Sequence, residues 1–131
     1  NRLNLQEIVT FVNNLTTDEI NQCYAESSLA VVPSLYEGFG LPAGEAMSSG
    51  IPVISTTGGA LPEVVGDAGV LVPPGDASAI ANAMADLFEH PDKMEQLGAA
   101  GRKRILDKFS WDVAARQMTR HYLKVLQNVN H

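Results

Sequence analysis

Cysteine is nearly missing: Cys23 stands alone among 131 residues, so no internal disulfide can staple the chain. It falls on the apolar side of a predicted helix and reads as a small core residue in a reducing cytosol. Basic residues are also scarce. Nine Lys and Arg face fifteen Asp and Glu, a formal net charge of −6, which excludes broad binding to nucleic acid or to anionic membrane surfaces, because both need basic patches. The one dense basic cluster, Arg102-Lys103-Arg104, reads as a solvated helix face. No apolar run approaches about eighteen residues and no signal peptide is visible, so no membrane span is expected. His90, His121 and His131 lack the spacing of metal ligands and read as surface or capping residues, so no metal is implied. Internal repeats and low-complexity segments are missing as well.

What is present suits one globular domain, with 45% hydrophobic residues. The chain opens without a start methionine, and Ile8-Val9-Thr10-Phe11-Val12 reads as a buried strand close to its beginning, as in a piece of something longer. Thr16-Thr17-Asp18-Glu19 has the spacing of a capping box, and Ile20, Cys23, Tyr24 and Ser27 follow on one face of a helix of about ten residues. Strands are predicted at Leu29 to Val32, Ile51 to Ser55 and Gly69 to Val72, with helices between them, the last a short one at Leu61 to Val65. This alternation predicts a Rossmann-like α/β fold with a parallel sheet covered on both faces. From about residue 76 the chain becomes helical to its end. Asp76 caps a helix striped by Ile80, Ala83, Met84, Leu87 and Phe88, and His90-Pro91-Asp92 breaks it. Met94, Leu97 and Ile105 mark a second helix. Ser110 caps a third that carries Trp111, Ala115, Met118, Tyr122 and Leu126. All three stripes are expected to pack into the core.

The most informative stretch runs from Tyr36 to Gly50, YEGFGLPAGEAMSSG. A strand and a Pro-Ser stop precede it. Two glycines then lead to Pro42, whose preset φ and missing N–H suit the start of a helix. A glycine-rich turn at a helix N-terminus gathers backbone N–H groups for a phosphate or another anion. Glu37 lies in the turn and Glu45 in the expected first turn of the helix, where side chains tilt back toward the N-terminus. Both carboxylates therefore reach one mouth. Amide donors suit phosphate oxygens and carboxylates suit hydroxyl groups, and a nucleoside diphosphate sugar carries both. Asn13-Asn14, Tyr36 to Gly40 and Thr57 to Gly59 all follow predicted strands and are expected on one sheet edge, where such folds bind ligands.

Glu37 and Glu45, with seven residues between them, stand in Pro33-Ser34…Glu37-Gly38-Phe39-Gly40-Leu41-Pro42…Glu45-Ala46-Met47…Gly50-Ile51-Pro52-Val53-Ile54. That pattern resembles the donor-site signature of family 4 retaining glycosyltransferases, and Thr57 to Val65 followed by Gly69 to Pro74 continues the likeness. The resemblance implies a GT-B enzyme with two Rossmann-like domains, the first for the acceptor and the second for the nucleotide sugar. It implies transfer with retention of configuration and without a bound metal or other cofactor, in the cytoplasm or at the inner face of a membrane. Residue by residue, it implies that Glu45 accepts hydrogen bonds from the donor ribose and that Glu37 lies by the donor sugar and its transition state. Gly38, Phe39, Gly40 and Leu41 would act through backbone N–H groups, the Phe39 side chain serving packing. Thr57, Gly58 and Gly59 would close around the phosphates or sugar, and Phe11, Val12 and Asn13 would meet the nucleobase. Glu63 is expected to cap its short helix. Gly44 departs from the commoner large apolar residue before the second glutamate.

The resemblance covers the later two-thirds of the second domain. The acceptor domain, the first two donor-domain strands and the upstream Arg and Lys that neutralise the diphosphate have no counterpart in this sequence. The expected reading is the donor-binding part of a glycosyltransferase, inactive by itself. A related GT-B enzyme, such as an epimerase or phosphorylase, and a nucleotide-binding or interaction module without activity stay open. In the doubly wound order 3-2-1-4-5-6, Ile8 to Val12 would be the third strand, with a gap beside Leu29 to Val32. The gap would be filled in trans, by the rest of the parent or by self-association, or the first strand would pair elsewhere.

Overall fold

Local signals set the helix starts. The structure, a computed structural model, describes residues 3–129; His131 lies outside them. Helix α1, Thr17–Glu26, begins at the capping box: Thr16 Oγ1 accepts from the Glu19 N–H, and Glu19 accepts from the Thr16 N–H at 2.7 Å. The hydrogen bonds that the carboxylate accepts from the Thr16 N–H and hydroxyl hold the Glu19 carboxyl below the ordinary carboxylate range. Helix α4, Ala77–Glu89, begins at Asp76, whose Oδ1 accepts from the Ala79 N–H at 2.9 Å. His90 closes α4 and opens α5, Pro91–Lys108, in agreement with the break expected at His90-Pro91-Asp92. Ser110 Oγ accepts from Val113 N–H at the start of α6, Trp111–Val129.

Three parallel strands, β1 Ala30–Val32, β2 Val53–Thr56 and β3 Val70–Val72, lie side by side in chain order. Ala30 is in register with Val53, and Ile54 with Val70. Helix α2, Leu41–Ser48, connects β1 to β2, and α3, Leu61–Val65, connects β2 to β3. The central strand is buried along its length, and its side chains alternate between two cores. Val53 joins Val32, Ala43, Ala46, Met47, Leu61 and Val65 on the α2/α3 face, with Tyr24 and Ile105 packed at the margin. Ile54 joins Val72 and Leu87 on the opposite face, against Ile80, Met84, Met94 and Leu97 of α4 and α5. The expected α/β sheet is thus present. Among the described residues no helix is long and apolar enough to cross a membrane.

Four expectations need correction. Ile8 to Val12 forms no strand: the Ile8 and Val9 N–H groups both donate to the Leu5 carbonyl, and Phe11 is 89% exposed. A strand exists by pairing, and no segment of the described residues pairs with the free edge of β1. Nor does the segment pair elsewhere among the described residues. Cys23 is exposed, because its neighbour Tyr24 takes the inward direction and successive helical residues diverge by about 100°. Trp111, Met118, Tyr122 and Leu126 make a helical stripe as read, yet it faces solvent, Trp111 at 91% exposure, and Phe88 is exposed as well.

The fourth correction concerns Arg102-Lys103-Arg104. Arg102 donates to the Ser48 carbonyl at 2.7 Å, and Arg104 donates to the Val64 and Glu63 carbonyls at 2.8 and 2.7 Å. These carbonyls end α2 and α3, where no further turn supplies a donor. The arginines are helix caps delivered from α5, and the Arg104 side chain is 16% exposed. Arg102 stays exposed while it caps, and Lys103 is exposed and paired with Asp107. Arg104→Met is expected to lower unfolding free energy by about 2 kcal/mol, since charged hydrogen bonds are lost and carbonyls are left unpaired. Lys103→Met should stay within about 0.5 kcal/mol. Urea denaturation of the complete protein checks both; equal effects would refute the capping role.

Candidate functional site

Two loops leave the carboxyl ends of adjacent strands. The first, from Pro33 to Gly40, follows β1 and leads into α2; the second, from Thr57 to Ala60, follows β2 and leads into α3. They are joined by backbone. Glu37 and Gly59 form a parallel bridge, and the Ala60 N–H donates to the Glu37 carbonyl at 2.9 Å. Buried Thr56 adds a second tie, its Oγ1 donating to the Ser34 carbonyl at 2.5 Å and accepting from the Gly58 N–H at 3.2 Å. The Thr57 N–H donates to Val72 of β3. The glutamate loop and the Thr57-Gly58-Gly59 loop therefore form one edge, as the sequence leads one to expect.

Gly40 is the N-cap of α2 at φ 91°, a left-handed conformation that Cβ disfavours. A Cβ there would also lie 2.7 Å from Leu61 Cδ2. Leu41 and Pro42 then open the helix. Among the described residues, no protein group accepts from the N–H groups of Gly38, Phe39, Gly40 or Leu41. These donors stand at the positive end of an eight-residue helix.

Glu37 is half-buried and accepts from Ser34 Oγ at 2.7 Å. No lysine or arginine among the described residues pairs with it. Glu45 is the fifth residue of α2, in its second turn and not the first as expected, since the helix already starts at Leu41. Its Oε2 accepts from the Tyr24 hydroxyl at 3.2 Å. That hydroxyl also lies 3.4 Å from the Pro42 carbonyl on the same face of α2. Burial, then the Glu45 charge and its hydrogen bond, push the Tyr24 phenol above its ordinary range.

Glu45 also borders a cavity of about 210 Å³ shared with Phe39, Leu41, Gly44, Ile105 and Phe109. The Phe39 and Phe109 rings meet edge to face, 5.8 Å between centroids, which ties the motif turn to the end of α5 and supports a packing role for Phe39. Gly44 explains the cavity, lying where the resemblance places a large apolar residue. A Cβ at Gly44 would meet Ile105 Cδ1 at 3.9 Å and Val64 Cγ1 at 4.0 Å, ordinary contact. Gly44→Ala should therefore stabilise the protein by about 0.5–1 kcal/mol, seen as a raised thermal midpoint. A lowered midpoint would mean that the glycine is needed for the fold. A larger depression, about 520 Å³, opens at the other sheet end among Tyr24, Ser28, Gly50, Pro52 and Met94, and neither glutamate lines it.

The structure thus brings together Glu37, Gly38, Phe39, Gly40, Leu41, Glu45, Thr57, Gly58 and Gly59. It does not bring in Phe11, Val12 or Asn13, which are exposed and end no strand. Glu63 makes no side-chain cap on α3; that helix starts at Ala60 without one. Sequence reading missed Tyr24 as the partner of Glu45. Its signal was an inward-facing tyrosine on α1, whose hydroxyl needs an acceptor.

Residues 1–104 match the family described as Glycosyl transferases group 1. The chain is 39% identical over 130 residues to the MMP alpha-(1->4)-mannosyltransferase of Mycolicibacterium hassiacum, covering 97% of this chain and 32% of that protein. Among solved structures, sucrose-phosphate synthase from Thermosynechococcus elongatus matches with a TM-score of 0.84 at 39% identity, over 95% of this chain and 32% of that one. Anabaena Alr3699/HepE in complex with UDP and glucose matches with a TM-score of 0.85 at 26% identity, over 94% and 34%. The chain thus spans about a third of the length of these relatives.

Proposed function

The chain belongs to the group 1 glycosyl transferases, and from that premise we propose that it is the donor-binding part of an enzyme transferring a sugar from a nucleoside diphosphate sugar. The observation that carries the reading is the turn itself: four N–H groups without acceptors among the described residues, at the start of α2, with Glu37 before them on the sheet edge and Glu45 after them in the helix. The N–H groups of Gly38 to Leu41 take diphosphate oxygens, with Thr57, Gly58 and Gly59 closing the other side. Glu45 accepts from the ribose hydroxyls. Glu37, steadied by Ser34, faces the reacting sugar and favours the positive charge that develops there.

The proposal extends to retention of configuration, to metal-free transfer without a resident cofactor, to a cytoplasmic site, and to an acceptor bound by further chain. These rest on the resemblance alone. Val12 and Asn13 take no part in this site, since their segment ends no strand. UDP-glucose is the first donor to try, because an Anabaena Alr3699/HepE structure of 25% identity is in complex with it. Incubation of the complete protein with labelled UDP-glucose, GDP-mannose and ADP-glucose, each with candidate acceptors, should yield a glycosylated product. Proton NMR of the new linkage should show the donor's anomeric configuration. Nucleotide binding without transfer would favour a binding module, and an isomerised or phosphorylated sugar would favour an epimerase or phosphorylase.

A further inference from the structure

We propose that Tyr24 is a positioning residue for Glu45, holding one carboxylate oxygen so that the other is presented to the vicinal diol of the donor nucleotide. The inference rests on the donor-site reading above. Glu45 lies on an exposed turn of α2, where a glutamate side chain with three torsions samples several rotamers. Tyr24 reaches it from another element. Its ring packs against the core formed by Val32, Ala43, Ala46 and Met47, which fixes where its hydroxyl can be. That hydroxyl meets Glu45 Oε2 at 3.2 Å, across twenty-one positions of sequence.

The chemistry of the two groups is matched to this task. A phenol has one proton to donate, and an ionised carboxylate has two acceptor oxygens with about four lone-pair sites. One oxygen engaged by Tyr24 leaves Oε1 free among the described residues. With its phenol pushed above the ordinary range, Tyr24 remains a donor throughout the neutral pH range. The carboxylate is thereby ordered before ligand arrives, and binding does not have to supply that ordering.

The contact predicts a difference that a merely structural tyrosine would not produce. Isothermal titration of the complete protein with UDP, GDP and ADP identifies the nucleotide bound, which is then compared with its 2′,3′-dideoxy form. In the unaltered protein, losing the diol should weaken binding about tenfold or more. In Tyr24→Phe, the parent nucleotide should bind about five- to tenfold more weakly, and the dideoxy penalty should shrink to about twofold. In Glu45→Ala the penalty should vanish, and adding Tyr24→Phe should change nothing further. The ratio of the two affinities is read from the same folded molecules, so it survives any loss of stability in a variant. A dideoxy penalty in Tyr24→Phe equal to that of the unaltered protein, or losses that simply add in the double variant, would overturn the role of Tyr24 alone. A penalty near one in the unaltered protein would overturn the ribose assignment of Glu45 and this inference with it. Failure of all three nucleotides to bind would overturn the donor-site reading itself.

Discussion

Replacing Glu45 by alanine in the complete protein is expected to raise the donor KM about ten- to hundredfold and to leave kcat nearly unchanged, whereas Glu37→Ala should lower kcat by a similar factor. The distinction follows from where each carboxylate acts in the proposed site. Ribose hydroxyls are contacted equally in the ground and transition states, so losing that contact weakens binding uniformly. The sugar carries its positive charge only as the bond to the diphosphate breaks, so a carboxylate facing it is felt mainly in the transition state. A hydrogen bond to a charged group is worth about 1.5–3 kcal/mol, which corresponds to these factors. Ser34→Ala should act on kcat in the same direction as Glu37→Ala but less, because Ser34 holds only one oxygen of that carboxylate. Steady-state kinetics with donor varied at saturating acceptor would test all three. Unchanged donor KM and kcat for either glutamate variant would remove that residue from the site.

Gly59→Ala is expected to damage the fold and the site together. Gly59 sits at φ +64°, and a Cβ there would lie under 3.0 Å from the Glu37 carbonyl oxygen, which is backbone and cannot swing aside. The left-handed conformation costs about 1–2 kcal/mol for an alanine, and the overlap adds about 1–3 kcal/mol. A fall in melting temperature on the order of 10 °C follows, with loss of donor binding as the two loops part. Gly38→Ala is the contrasting variant, since a Cβ there meets nothing within 4 Å. Its stability should stay within about 1 kcal/mol while donor affinity drops, because the new methyl stands where a ligand would approach the turn. Calorimetry paired with nucleotide titration separates the two effects. Full affinity in Gly38→Ala would place the ligand elsewhere.

The contrast between these glycines was not legible in the sequence, where both look like turn residues. What was legible was whatever is decided within a few residues. The Thr16 and Asp76 caps, a helix start within a residue of Pro42 and the short helix at Leu61 to Val65 each depend on neighbours close in the chain, and the structure has them. The pairing of two loops to make one edge was readable because strand ends in a parallel sheet fall on a common side. Failures came where a residue's fate depends on a distant partner. Ile8 to Val12 has the composition of a strand but, among the described residues, no neighbour to pair with. The stripe from Trp111 to Leu126 has the period of a packed helix, yet periodicity says only that one face is apolar and not what covers it. Arg104 was read by charge as solvated, although its guanidinium group finds carbonyls 40 and 41 positions away. Tyr24 escaped notice for the same reason.

The arginine caps have a mechanical side. Helices α2 and α3 each begin at one of the two site loops and end on a guanidinium from α5, so one helix fastens the far ends of both. At 1.5 Å per residue, the eight residues of α2 make a lever of about 12 Å. A tilt of about 5° at its Ser48 end would move the Gly40 end by about 1 Å, a displacement large enough to spoil alignment at a reacting centre. The aim of the glycine-rich turn is therefore set in part from behind, by residues that never approach the ligand. Changes along α5 at Arg102 and Arg104 should read out as lost precision at the opposite end of the lever.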